Sequence, residues 1–255
     1  MKTKFLFLYI LIFLNLTCFA QEKSFFLELS SGVSIPIGKY GDGDGEYHKT
    51  GYAKSGFNYG LLGYYKIPDF KNMSVAISTN YFTHDINSNA LENSYRRSNY
   101  FTYTHAWQKP NWEIYSLSSG LIYSLSYNEK LDFHFTGLIG LAKATKPGFN
   151  LAHNYWGINN TVFPDFYYDI DKYYSNVESN LSLSLSTKLK IHWNVFNRWS
   201  LVTNIDFYFT KLKFEEDITV YDTGDHWSNA TSYTLNVEDQ NVSLINISLG
   251  VGYQF

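Results

Sequence analysis

Cysteine is almost absent from this chain of 255 residues, which contains a single one, Cys18. One cysteine cannot form an intramolecular disulfide, and structural zinc sites of the thiolate type need two or more. A dominant charge is also lacking, because 20 basic and 23 acidic residues leave a formal net charge of -3. The basic residues are scattered rather than clustered. We therefore expect no nucleic-acid partner and no cysteine-based metal site.

Long apolar runs are missing except at the start of the chain. MKTKFLFLYILIFLNLTCFAQ combines two early lysines, an apolar stretch at residues 5–16 and the small-x-small motif Cys18-Phe19-Ala20. This is the pattern of a secretory signal peptide, and the apolar stretch is shorter than the roughly 20 residues of a spanning helix. The sequence predicts a signal peptide at residues 1–20 and one domain at residues 21–255. Cleavage of the signal peptide would remove Cys18.

Aromatic residues are abundant: they make up 19% of the chain, with 23 Tyr and 20 Phe, although the mean hydropathy is only -0.25. Apolar and polar residues alternate in several segments, and alternation with period two is typical of a β-strand. The segments are FFLELSSGVSIPI (25–37), FNYGLLGYYKI (57–67), MSVAISTNY (73–81), YSLSSGLIYSLSY (115–127), LDFHFTGLIGL (131–141), NLSLSLSTKLKIHW (180–193), WSLVTNIDFYF (199–209) and ISLGVGYQF (247–255). The sequence thus predicts eight strands, an even number, as in outer-membrane barrels.

The connections between these segments alternate in length. PDFKN, NEK and NVFNR are short turns, whereas long polar segments lie at residues 38–56, 83–111, 143–176 and 211–241. Tight turns at one rim and long loops at the other are typical of bacterial outer-membrane barrels. We therefore predict an all-β fold, an eight-stranded antiparallel up-and-down transmembrane β-barrel with long extracellular loops.

The two faces of the strands favour a membrane barrel over a soluble one. The face opposite the apolar residues is rich in Ser and Gly, which suit the narrow interior of an eight-stranded barrel. A secreted soluble ligand-binding β-barrel, with its apolar face turned inward, is the alternative left open. Aromatic residues near the strand ends are expected to form interfacial belts, and Trp112 is placed in the outer belt.

Charged residues on the inward face predict ion pairs in the lumen. An isolated charge in such a narrow interior costs several kcal/mol, so the charges must pair. A structural plug of ion pairs is the first interpretation, and a gating or proton-linked role is the second. The residues are Glu28, Lys66, Asp132, His134, Lys188, Lys190 and His192.

The last segment ends with an aromatic residue preceded by alternating apolar ones. It resembles the C-terminal signature of bacterial outer-membrane proteins, which the outer-membrane assembly machinery recognises. By that resemblance the assembly signal is Leu249, Val251, Tyr253 and Phe255.

The chain as a whole resembles small outer-membrane barrels of the OmpA/OmpX type, and more narrowly the outer-membrane β-barrel proteins of Bacteroidota. The features that carry the resemblance are Phe19-Ala20-Gln21, GVSIPIGKYG (32–41) and the terminal GVGYQF. It implies a structural or surface-interaction role, without a cofactor, in the bacterial outer membrane. The implied partners are outer-membrane lipid and lipopolysaccharide, the assembly machinery, and a surface protein or glycan.

One short motif indicates an enzymatic alternative. His226-x-Ser228-Asn229 resembles the His-x-Ser-Asn motif of lipid A 3-O-deacylases, in which the histidine is the base for the serine. Glu238 or Asp239 would then orient the histidine. The motif lies among polar residues rather than on an apolar-patterned strand as in that family, so we expect a protein that is not an enzyme.

Overall fold

The computed structural model describes residues 25–43, 50–70, 72–91, 93, 102–108, 111–155, 167–174, 177–196, 198–221, 230–236 and 239–255. The signal peptide predicted at residues 1–20 lies outside these ranges. Among the described residues no helix is long and apolar enough to span a bilayer.

The described residues form strands and a short 3-10 helix at Gly38–Tyr40. The strands are β1 (Phe25–Ile37), β2 (Gly56–Lys66), β3 (Met73–Asp85), β4 (Thr102–Gln108), β5 (Asn111–Asn128), β6 (Leu131–Lys146), β7 (Gly148–Tyr155), β8 (Tyr167–Tyr174), β9 (Val177–Glu178), β10 (Ser182–Phe196), β11 (Trp199–Leu212), β12 (Glu215–Tyr221), β13 (Ala230–Asn236) and β14 (Gln240–Gln254).

Eight of these strands close into a barrel. Their order is β1-β2-β3-β5-β6-β10-β11-β14, each neighbour is antiparallel, and β14 pairs with β1 to close the ring. At this closing seam Leu29 lies opposite Val251, and Ile35 lies opposite Ile245. Each predicted alternating segment lies in one barrel strand or overlaps it to within a residue or two. The predicted eight-stranded up-and-down barrel is therefore confirmed.

The two rims of the barrel differ. The connections β2–β3, β5–β6 and β10–β11 are short and lie at one rim, which we call the short-turn rim. Both ends of the barrel sequence lie there as well, where the Phe255 amide donates to the Phe25 carbonyl at 3.0 Å. The connections β1–β2, β3–β5, β6–β10 and β11–β14 are long and lie at the opposite rim, the long-connection rim.

The long connections contain a second sheet, which the sequence analysis did not predict. Its order is β13-β12-β8-β7-β4, so strands from three different connections pair with one another. These segments were expected to be loops because their composition is polar. Backbone pairing between neighbouring hairpins satisfies amide and carbonyl groups whatever the side chains are, so a polar composition does not prevent a sheet.

Alternation along the barrel strands separates two environments. In β11 every second residue is exposed and the residues between them are buried, from Trp199 to Leu212. The exposed set is mainly apolar, with Leu201, Ile205 and Phe207 at 40–54% exposure, and the buried set includes Asn204 and Asp206. The outer face is therefore mainly apolar, whereas the lumen holds polar and charged side chains together with apolar ones.

Candidate functional site: the filled lumen and the outer surface

The half of the lumen near the long-connection rim holds an apolar cluster. Large side chains from several walls pack there at 2% exposure or less, and their interdigitation fills the space. The larger members are Tyr40, Phe82, Trp112, Tyr208, Leu212, Phe214 and Leu244.

The described residues of the first long connection, 38–43 and 50–55, pack against the apolar cluster at this end of the barrel. Tyr40 is fully buried, and its ring meets Trp112 at 5.4 Å and His84 at 5.5 Å, both edge to face. Burial raises the pKa of the Tyr40 phenol well above its usual range. Tyr52, also fully buried, has a positive φ of 48°, which turns the chain back toward β2.

Trp112 corrects the predicted outer aromatic belt. Its side chain is 1% exposed, and its indole nitrogen donates to the Gly51 carbonyl at 3.0 Å. It lies on the same face of β5 as Ile114 and Ser116, which are buried, so it points into the lumen. The expectation that Trp112 faces lipid was wrong because β5 begins earlier than the alternating segment that was used to assign its faces.

A polar layer occupies the middle of the lumen around Asp206. Its carboxylate accepts a hydrogen bond from Ser186 at 2.6 Å and from Asn246 at 3.3 Å, and lies 3.7 Å from the Lys188 ammonium. Lys188 also donates to the side-chain amide oxygen (Oδ1) of Asn80 at 3.1 Å. Of this layer the sequence analysis named Lys188 alone.

The position of Asp206 could have been inferred from the sequence. It alternates with Ile205 and Phe207, which were assigned to the outward face, so it had to point inward. The prediction named Lys188 as a lumen charge but not Asp206. The carboxylate that neutralises Lys188 was therefore missed.

A second charged layer lies near the short-turn rim. Lys190 donates to both carboxylate oxygens of Glu28, at 2.9 and 2.7 Å, across the lumen from β10 to β1. The His192 ring nitrogen lies 3.5 Å from the same carboxylate. Glu28 and Lys190 are 2% and 1% exposed, so this is a desolvated ion pair.

Histidine and tyrosine rings pack beside this pair. His134 and His192, on the paired strands β6 and β10, stack with centroids 4.0 Å apart. Tyr64 meets both rings edge to face, at 5.8 and 6.4 Å. Asp132 lies nearer the rim and accepts a hydrogen bond from Asn194 at 3.1 Å.

Lys66 differs from the other predicted lumen charges. It is exposed, and its ammonium lies 5.1 Å above the Phe26 ring. Lys66 and Glu28 were expected to meet across neighbouring strands, but the register sets Glu28 opposite Leu62, and Glu28 pairs with Lys190. Lys66 ends β2 at the rim, where water solvates its charge and no carboxylate is required.

The acidic and basic side chains of the lumen neutralise one another. Glu28 is held by Lys190, and Asp206 is held by Lys188 and two neutral donors, so each of these buried carboxylates has a cation in its own layer. Within the described part of the chain, no three His, Cys, Asp or Glu side chains converge where a metal ion could bind. Since apolar clusters lie beside both layers, the described side chains fill the lumen rather than line a channel.

The predicted assembly residues lie on the outward face of β14 and at the short-turn rim. Leu249 is 70% and Val251 is 44% exposed. Tyr253 packs against Trp199 at 4.8 Å and Phe255 at 4.9 Å, and Phe255 meets Phe25 at 5.5 Å. An aromatic cluster thus covers the end of the closing seam.

The deacylase candidates His226, Ser228 and Glu238 lie outside the described residues. Asp239, the alternative third member, is described, and its carboxylate lies 2.5 Å from the Lys211 ammonium. The hydrogen bond from Lys211 lowers the pKa of Asp239. This carboxylate already has a cationic partner.

The outer surface decides the environment of the barrel. Large apolar side chains are exposed on every barrel strand, among them Leu29, Leu61, Ile77, Leu117 and Ile139 at 41–61% exposure. A continuous apolar surface of this kind is not compatible with water, and every strand has a paired neighbour as the bilayer interior requires. This is an outer-membrane type of β-barrel. The soluble alternative, which needs an apolar interior and a polar exterior, is excluded.

Solved structures similar to this chain include a surface protein, an outer-membrane protein and an attachment protein. Neisserial surface protein A is 11% identical, covers 91% of this chain and 97% of its own, and has a TM-score of 0.46. A major outer-membrane protein from Thermus thermophilus is 12% identical, with coverages of 91% and 100% and a TM-score of 0.46. Ail, the attachment invasion locus protein of Yersinia pestis, is 12% identical, with coverages of 91% and 99% and a TM-score of 0.41.

At such low identity the likeness is one of fold. No family model matches the sequence, and no curated protein matches it. The assignment to a membrane follows from the polarity of the barrel's own two faces.

Proposed function

We propose that this protein is a closed, non-catalytic scaffold of the bacterial outer membrane that presents a surface to a protein or glycan outside the cell. The observation that carries the proposal is the pairing of three long connections into one sheet beyond a filled barrel. We further propose that residues 1–20 are removed as a signal peptide and that the assembly machinery recognises the C-terminal segment.

The filled lumen argues against transport through the barrel. The Glu28–Lys190 pair, the Asp206 layer and the Tyr40–Trp112 contact each cross the interior at a different height. A solute would have to displace all three. The long connections are thus the part of the molecule left to carry function.

The composition of those connections suits contact with a macromolecule. The segment FPDFYYDIDKYY, which includes β8, combines aromatic rings with acidic residues. Tyrosine supplies a large contact area together with a polar hydroxyl, and it is enriched in protein interfaces. Connections as long as these are uncommon in compact domains unless they carry function.

Conductance tests the closed scaffold. The purified chain, reconstituted in a planar bilayer, is expected to give no stable ion-conducting steps, because charged and apolar side chains fill its lumen. Regular open-channel steps in protein that shows the heat-modifiable migration of a closed barrel would contradict the proposal.

Shortening the β12–β13 hairpin tests the surface role. We expect cells producing the intact chain to bind one or more members of a panel of immobilised glycans and purified proteins, and cells producing the shortened chain to lose that binding. Glu129→Gln, in a turn at the opposite rim, is the matched control. Equal binding by all three types of cell would count against a surface role, provided that heat-modifiable migration shows folded barrels.

A further inference from the structure

The outward face of the barrel has a groove near the short-turn rim. It crosses β6, β10, β11 and β14, and its volume is about 570 Å³. Ile191, Trp193, Leu201 and Leu249 form its apolar walls. These side chains are 41–70% exposed, so the groove opens toward lipid rather than toward the lumen.

Thr203 accounts for the depression. It is exposed on β11, and its register partners are Ile191 on β10 and Leu249 on β14. The outward neighbours along its own strand are Leu201 and Ile205. Threonine is shorter than the four aliphatic side chains around it, so the outer surface is lower at Thr203.

One cation lines the groove at the rim, and a second lies in a neighbouring turn of that rim. Lys130, in the β5–β6 turn, is part of its lining and is exposed, and its carbonyl accepts from the Asn194 amide at 2.8 Å, which fixes the turn beside β10. Arg198, in the next turn around the rim, is exposed and donates to the Tyr253 hydroxyl at 3.3 Å. Glu129 is the acidic residue in these two turns.

Trp193 indicates the depth of the groove in the membrane. A tryptophan on the outer face of a membrane barrel prefers the depth of the lipid headgroups. Lys130 lies on the rim side of the groove, where a long basic side chain reaches the headgroup layer. The apolar hollow lies at the depth of the acyl chains, and the Lys130 cation lies at the depth of the headgroups. The groove therefore matches both the acyl chain and the headgroup of a phospholipid.

We propose that this groove binds a phospholipid of the adjacent leaflet, with an acyl chain over Thr203 and an anionic headgroup beside Lys130 and Arg198. The charge of the two turns selects an anionic headgroup over a zwitterionic one. This inference depends on the proposed membrane location.

Native mass spectrometry of the chain released from detergent micelles tests this site. The probes are phosphatidylglycerol, phosphatidylcholine and glycerol 3-phosphate, which has the headgroup charge without acyl chains. We expect the unaltered protein to retain phosphatidylglycerol several-fold more strongly than phosphatidylcholine, and not to retain glycerol 3-phosphate. Thr203→Leu, which fills the hollow, should weaken retention of both lipids, and Lys130→Gln should remove the preference between them.

The controls are equivalent residues on the far wall. Thr79 is an exposed threonine between Leu61 and Leu117 in the register, so Thr79→Leu makes the same change away from the groove. Lys66→Gln removes a cation elsewhere on the same rim. Both controls should retain phosphatidylglycerol as the unaltered protein does.

Three results would overturn the site: equal effects of Thr203→Leu and Thr79→Leu, retention of glycerol 3-phosphate alone, or a dimer whose formation Thr203→Leu abolishes. The last would assign the groove to a second copy of the chain. Failure of the unaltered protein to fold in any micelle or bilayer would instead contradict the membrane proposal. The two failures are therefore distinguishable.

Discussion

Removing Glu28 should destabilise the barrel far more than removing an exposed carboxylate. In the Glu28→Ala variant the Lys190 ammonium, 1% exposed, loses both of its hydrogen-bonded oxygens. Among the described residues Lys190 has no other carboxylate in contact. The variant therefore leaves a buried charge without compensation, which is the costly way to break an ion pair.

The magnitude follows from the geometry. Opposite unit charges separated by 2.7 Å attract by about 6 kcal/mol at an effective dielectric constant of roughly 20. Desolvation costs several kcal/mol for each ion, so the intact pair contributes little net stability. Loss of one partner removes the attraction and keeps the remaining desolvation cost, and we expect Glu28→Ala to lower the unfolding free energy by about 3–5 kcal/mol.

Three further variants, Glu28→Leu, Lys190→Met and the two combined, form a double-mutant cycle. Lys190→Met should cost less than Glu28→Ala, because Glu28 keeps the His192 ring at 3.5 Å. The double variant Glu28→Leu, Lys190→Met should lie near the unaltered protein, since replacing a buried pair with apolar residues is often neutral. The two sites are thus expected to be strongly non-additive.

The assay is equilibrium denaturant unfolding of the barrel in lipid vesicles, followed by tryptophan fluorescence. Glu178→Ala is the matched control, because Glu178 pairs with Lys143 while their side chains are 66% and 50% exposed. Such exposed pairs contribute about 0–1 kcal/mol. If Glu28→Ala costs no more than Glu178→Ala, or if the cycle is additive, the argument from burial is wrong.

Three shorter predictions concern the lipid face, the closing seam and assembly. Leu189→Arg, at the middle of β10 on the outward face, should cost about 2–4 kcal/mol in vesicle unfolding, and a cost equal to that of Leu189→Ala would contradict the lipid assignment. Gly32→Ala should prevent closure, seen as lost heat-modifiable migration, because a Cβ there would lie 2.0 Å from a carbonyl oxygen of β14, whereas Gly137→Ala meets nothing within 4 Å and should fold. Phe255→Asp should leave the chain in the periplasm by fractionation, whereas Phe196→Asp, at an exposed aromatic on the same rim, should not; equal outer-membrane levels would count against the assembly signal.

Particular residues show where reasoning from the sequence reached its limit. Glu28 and Lys190 were both named as lumen charges, but their strands are not neighbours: β11 and β14 lie between β10 and β1. Their pairing depends on barrel closure and strand tilt, which set the heights of distant residues. Asp206 and Trp112 were different cases, because extending the alternation along their own strands places both on the inward face.

The second sheet could not be predicted from the sequence either. The sequence showed that the long connections are polar and rich in aromatic residues. In the structure β4 pairs with β7 and β12 pairs with β8, so strands of different connections are joined, and β7 pairs with β8 within one connection. No residue pattern within one connection predicts this pairing, because its hydrogen bonds join backbone groups that every residue carries.

By itself, the sequence determined the number of barrel strands, the lengths of their connections and the face of each strand that meets lipid. Those properties are local, because the side-chain period of two and the lengths of the turns and connections can be read from consecutive residues. Only the tertiary structure decided that Glu28 meets Lys190, that Tyr40 and Trp112 close the lumen, and that Thr203 forms the floor of a groove. Each of these depends on the shear and closure of the barrel, which bring into contact residues that are distant in sequence.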